Sequence, residues 1–142
     1  MRPRAWLLAF VLAGCADDEC PTIGCEDTSQ ISFPVGLVIQ PYDLVVVAEV
    51  GMFTARCLQP SAPEADANPP ELRCDRSGFE LTGGEFARMR ELQITVTDVE
   101  SGEVLAAGNV DAGVVDELAP NGPDCPGLCF VRNGELRAQG DD

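Results

Sequence analysis

From Ile31 onward the apolar residues come in short runs closed by turn residues, and the clearest of these runs has a period of two. In "ELQITVTDVESGEVLAAGNV", Leu92, Ile94 and Val96 alternate with Gln93, Thr95 and Thr97, the pattern of a strand with one wet face. Successive side chains on a strand point to opposite sides, so this spacing sets three apolar groups against one core; a helix of about 3.6 residues per turn would scatter them. Glu100-Ser101-Gly102 supplies a turn, and Val104 to Val110 return as the second arm of a hairpin.

The other segments follow the same grammar. In "YDLVVVAEV", Leu44, Val46, Ala48 and Val50 face one way and Val45 and Val47 the other, which marks a central strand or one lying under a loop. "FTARCLQ" follows the Gly51 turn as its hairpin partner. "PSAPEADANPP", residues 60–70, reads as an exposed loop, and "ELRCD" resumes an extended segment. "FARMREL", residues 86–92, is expected to give one helical turn leading into the Leu92 strand. "APNGPDCPG" is a loop punctuated by Pro and Gly, and "CFVRNGELRAQ" is the last strand, unless Asn133-Gly134 makes a tight turn and splits it into a small hairpin. Short strands with closely spaced turn signals predict an all-β fold, an antiparallel β-sandwich for which an Ig-like topology is one arrangement. It occupies residues 31–142 as a single domain without internal repeats.

The first thirty residues read differently. Arg2 and Arg4 form a basic head, and Ala5 to Ala13 are all apolar, a run well short of the ~20 residues a spanning helix needs. That is the layout of a secretory signal. Leu12-Ala13-Gly14-Cys15 resembles the bacterial lipobox at all four of its positions. The resemblance implies a lipoprotein signal peptide over residues 1–14 and a diacylglyceryl group on the thiol of Cys15, the new N-terminus. The membrane is then a partner through lipid (palmitate among its chains), and about 0.8 kcal/mol per buried methylene makes two or three chains a lasting anchor. Residues 15–30 become a lipidated acidic tether. In the sorting rule of many Gram-negative lipoproteins an Asp directly after the cysteine retains the protein at the inner membrane. Ala16 holds that place here, ahead of Asp17 and Asp18, so the resemblance implies the outer membrane, facing periplasm or cell surface.

Loss of Arg2 and Arg4 with the 14-residue signal leaves 128 of the 142 residues, with seven Arg against 24 acids, a net charge of −17. Such a surface repels nucleic acid and anionic headgroups, which excludes both as ligands. The chain has no His and no Lys, the composition a GC-rich genome gives. Without them there is no Ser-His-Asp triad, Cys-His pair, His-ligated metal, Ser-Lys dyad or Schiff-base lysine. Carboxylate pairs and redox thiols remain, and neither shows a motif. No catalytic residue is assigned, and the chain is not expected to be an enzyme.

Beyond Cys15, six cysteines remain: Cys20, Cys25, Cys57, Cys74, Cys125 and Cys129. An even number in an exported chain reads as three disulfides, although six cysteines allow about 15 pairings. Cys57 and Cys74 flank the proline-rich loop in extended segments, and joining them is worth about 3 kcal/mol in the chain-entropy model. The other four lie at the two ends of the domain. First and last strands are often neighbours in sandwiches, which favours pairing the 20/25 set with the 125/129 set; local Cys20–Cys25 and Cys125–Cys129 bridges stand as the alternative. A redox dithiol at Cys125-Pro-Gly-Leu-Cys129 has three intervening residues in a loop, where thioredoxin-like motifs have two before a helix. A Cys₄ zinc site would need looser spacing than structural zinc sites show, in a compartment that favours disulfides. The carboxylates Asp17, Asp18, Glu19, Glu26, Asp27, Asp141 and Asp142 lack calcium-loop spacing and read as solvated clusters, so neither metal nor cofactor is expected.

A tether with two cysteines, a mid-chain Cys pair and "PNGPDCPGLC" before a final strand resemble the small cysteine-bearing lipoproteins of GC-rich Gram-negative bacteria. The likeness spans most of the mature chain and supports fold and location; no activity carries over from it. The expected function is that of a membrane-anchored envelope lipoprotein, a non-enzymatic accessory or interaction module with other envelope proteins as partners. The alternative is a carbohydrate- or peptide-binding sandwich using its end loops. Against the sugar reading, Trp6 leaves with the signal, and the mature chain keeps only Tyr42 and its Phe residues as aromatics.

Overall fold

The alternation becomes two packed sheets. A computed structural model describes residues 24–37, 41–57, 64–65, 71–122 and 124–137. These form β1 (Thr28–Ser32), β2 (Tyr42–Ala48), β3 (Gly51–Cys57), β4 (Glu64–Ala65), β5 (Glu71–Asp75), β6 (Gly78–Thr82), β7 (Glu91–Asp98), β8 (Val104–Asp111), β9 (Gly113–Leu118) and β10 (Cys129–Glu135). One sheet runs β5-β6-β1-β10-β9 and the other β4-β3-β2-β7-β8. The fold is a β-sandwich of mostly antiparallel sheets. One pair, β1 with β10, runs parallel, with Thr28 opposite Val131 and Ile31 opposite Gly134. Five strands in each sheet is not the four-and-three division of an Ig constant domain. The signal, Cys15, Cys20, the acids Asp17 to Glu19, most of the proline-rich loop and the terminal Asp141 and Asp142 lie outside the described residues.

Period two decides which residues meet between the sheets. Leu92, Ile94 and Val96 of β7 are buried, as are Tyr42, Leu44 and Val46 of β2 and Phe53 and Ala55 of β3. They face Ile31 of β1, Leu72 of β5 and Phe79 and Leu81 of β6 across the core. Each such side chain contributes roughly 1.5–3 kcal/mol by leaving water. β2 is central in its sheet, and its second row, Val45 and Val47, is half-buried on the outer face. Val50 departs from the expected alternation. It sits with Glu49 in the two-residue turn that pairs Ala48 with Gly51, and is 38% exposed.

Three local expectations change. The helical turn shrinks to a 3₁₀ turn over Phe86–Arg88, because Met89 already has extended backbone and β7 begins at Glu91. The stretch read as tether gives way to β1 at Thr28. Asn133-Gly134 lies inside β10 rather than turning, and Gly134 is there for space: a Cβ on it would overlap Val110 Cγ1 and come within 3.0 Å of Ile31 Cδ1. The chain passes between sheets at Ala112, a buried residue between β8 and β9 whose N–H donates to Arg90 O at 2.6 Å.

Candidate functional site

The end where β1 and β10 start side by side holds the longest-range described disulfide and a tightly bound carboxylate. Cys25, three residues ahead of β1, is disulfide-bonded to Cys129, the first residue of β10, with their Cα atoms 6.0 Å apart and a sequence separation of 104. Because the two strands run parallel, their leading residues arrive at the same end. That geometry replaces the local Cys20–Cys25 and Cys125–Cys129 alternative. Cys125 is disulfide-bonded too, so Cys125 and Cys129 do not form a free dithiol. Cys57 and Cys74 are joined as well, 5.9 Å apart at Cα, and tie β3 of one sheet to β5 of the other.

Asp27 is the second fastening at this end. Its carboxylate accepts the Phe130 N–H at 2.8 Å on one oxygen and Arg88 Nε at 2.7 Å on the other. Its side chain is only 10% exposed, whereas that of Arg88 is 67% exposed. Burial alone would raise the Asp27 carboxyl; the Phe130 N–H and the charges of Arg88 and Arg132 outweigh it and hold the group below the ordinary carboxylate range. The main-chain carbonyl of Asp27 also accepts the Gly83 N–H at 2.8 Å. A residue expected in a solvated acidic cluster is thus built into the sandwich, joining β1's approach to β10 and the 3₁₀ turn.

Beside it, Ser29 of β1 and Arg132 of β10 are register partners, so both side chains point between the sheets. Ser29 is fully buried, and neither its Oγ nor Arg132 Nε has a hydrogen-bond partner among the described residues. Arg132 Nη1 reaches Ala112 O at 3.5 Å, and its guanidinium stands 6.0 Å from the Phe130 ring. The inward Arg132 follows a register shift in the β10–β9 pairing between Val131 and Arg132. No spacing in the sequence announces this cluster. Arg132 sits in a strand pattern, and Asp27 sits in a run of polar residues.

Two depressions mark the outer faces. One, of about 440 Å³, lies over β6 and β1 between Arg73, Gln30, Glu80 and Asn133, where Gln30 Nε2 donates to Glu80 Oε2 at 2.8 Å. The other, of about 670 Å³, lies where the β2–β3 turn meets the β7–β8 pair and has Val47, Glu49, Met89, Glu91 and Asp111 on its walls. Arg90 in it makes a two-pronged pair with Asp111, both bonds 2.8 Å, which raises the Arg90 pKa and lowers that of Asp111. Among the described residues no three His, Cys, Asp or Glu side chains are grouped to hold a metal ion, and no helix is long and apolar enough to cross a membrane. No protein-family model, curated protein or solved structure matches the chain.

Proposed function

We propose that this chain is a lipid-anchored envelope lipoprotein whose disulfide-fastened sandwich serves as a non-enzymatic interaction module, held by Cys15 at the outer membrane. The observation that carries the reading is the sequence order of lipobox, short tether and fastened strand. Cys15 stands ten residues before Cys25, and Cys25 is bonded to the head of β10. A lipid on Cys15 would hold the folded domain close to a bilayer while leaving its faces in water. The bonded cysteines support export, since such bonds persist in oxidising compartments. The polar groups best placed for chemistry are occupied structurally. Asp27 is held by Phe130 and Arg88, and the Tyr42 hydroxyl lies 3.0 Å from Asp75 O and 3.1 Å from Gly78 O, inside the core.

The test is metabolic labelling with palmitate and fractionation. The wild-type chain should take up label and sediment with membranes, and Cys15→Ser should lose the label and appear in the soluble fraction. Equal labelling of Cys15→Ser would end the lipoprotein reading.

A further inference from the structure

Four strands end the two sheets, and three of them are blunted. β4 is two residues long. β5 alternates Glu71, Arg73 and Asp75 along its outer face. β9 is broken from regular register, carries Asp116 and Glu117, and turns the Asp116 carboxylate onto its own Glu117 N–H at 2.9 Å. These are the usual guards of an exposed edge. β8 is guarded least: its pairing with β7 shifts once, between Val96 and Thr97, and Ala106–Val110 beyond that shift keep regular register. It runs for eight residues, and Val104 to Val110 contain neither charge nor proline. Among the described residues, the main chain of Val104–Val110 has hydrogen bonds to β7 and to nothing else, so the opposite row of N–H and C=O groups is open.

Charge defines what suits that edge. At the Val104 end the β7–β8 turn carries Asp98, Glu100 and Glu103 and no basic residue. At the other end the 670 Å³ depression presents Glu49, Glu91 and Asp111 around the single Arg90. A second copy fits poorly: antiparallel pairing of β8 with itself would set the Asp111 end of each chain beside the Glu103 end of the other, acid on acid.

We propose that β8 accepts an extended segment of a partner protein as a further strand, one with an uncharged, β-prone centre and Lys or Arg at both ends. Main-chain bonds would supply affinity, and the acidic ends would set register and partner choice. The proposal rests on the interaction-module reading but not on the anchor, so the Cys15→Ser labelling test and the test below fail independently.

The probe is a fluorescein-labelled peptide, Arg-Arg-Val-Thr-Val-Thr-Val-Arg-Arg, titrated into the purified, disulfide-intact chain by anisotropy. Binding is expected for this peptide and not for its counterpart with Glu at the ends, and is expected to weaken about tenfold between low and physiological salt. Methylating the amide nitrogens of every second residue blocks one edge of the peptide. Of the two alternately methylated peptides, one should lose binding about tenfold and the other keep it, because alternate N–H groups point to opposite edges. Glu91→Gln with Glu103→Gln, both exposed, should weaken binding without changing the circular dichroism spectrum. Equal binding of the Glu-ended peptide, indifference to both methylations, or a stable dimer in light scattering whose β8 amides are already protected from exchange would each overturn the proposal.

Discussion

Above about pH 9 the chain has few side chains left to ionise, because it contains no Lys and Arg keeps its charge. Its only tyrosine is Tyr42, at 0% exposure, with its hydroxyl between the Asp75 and Gly78 carbonyls of the β5–β6 turn. Burial, and secondarily the negative charge of Asp75, push this phenol well above its ordinary 10.0. The folded state therefore holds a proton that the unfolded chain releases at about pH 10, so stability is complete below that pH and falls as pH rises towards the folded value. With the native phenol still protonated, one group ionising in the unfolded chain removes about 1.4 kcal/mol by pH 11.

Tyr42→Phe separates this effect from the rest. The variant deprives the buried Gly78 carbonyl and the part-buried Asp75 carbonyl of their shared donor, costing about 1–3 kcal/mol at every pH, but it has no phenol to ionise. Urea unfolding followed by circular dichroism at pH 8 and pH 11 should show the alkaline loss in wild type and none in the variant. Absorbance at 295 nm should show the tyrosine of the native chain ionising only with unfolding. A native phenol that titrates near its ordinary value with the spectrum of the fold unchanged would refute the reasoning, as would an equal alkaline loss in Tyr42→Phe.

Three further outcomes follow from the same geometry. Replacing Cys57 and Cys74 by Ala should cost about 3 kcal/mol in the chain-entropy model, since the bridge closes a loop of sequence separation 17, readable by calorimetry. Asp27→Ala should destabilise by about 1–3 kcal/mol at neutral pH. Since the native carboxyl is held low, that contribution is present above the ordinary carboxylate pKa and lost as pH falls through the folded value, so urea midpoints of variant and wild type should converge in acid. Gly134→Ala should cost about 1–3 kcal/mol by overlapping Val110, and Val110→Ala in the same chain should recover part of it in a double-mutant cycle.

What was legible in the sequence depended on one-sided burial. Leu92, Ile94 and Val96 bury one face of β7 and leave Gln93 exposed, so their spacing reports the structure directly. β9 gives no such signal because none of its residues is buried; "GVVDEL" lies at a sheet edge and its composition reflects solvent. β6 was hidden in "GFELT" because Gly78, at a φ of 150°, reads as a turn. There the absent side chain lets the Ile31 carbonyl approach, since a Cβ would overlap it. β1 reads as tether because "TSQIS" has a single apolar residue, and its inward partner Ser29 is polar. The cluster at Asp27 had no sequence signal for a deeper reason. Its partners Arg88 and Phe130 are 61 and 103 positions away, and only the parallel pairing of the first and last strands brings them together.

That pairing also bears on how an anchored domain would carry load. If lipid holds Cys15, tension along the tether reaches Cys25 before it reaches any strand. The disulfide to Cys129 passes it to the head of β10, which lies between β1 and β9. A covalent bond thus takes the force that would otherwise peel the main-chain bonds between β1 and β6. Asp27, two residues further, would be exposed to that peeling if the disulfide were absent. Its grip on Phe130 is an ordinary charge-assisted hydrogen bond, with Arg88 mostly in water, and such contacts open far more readily than the sulfur bridge. The order of fastenings along the chain, disulfide first, carboxylate second and strand third, places the strongest where an anchor would pull.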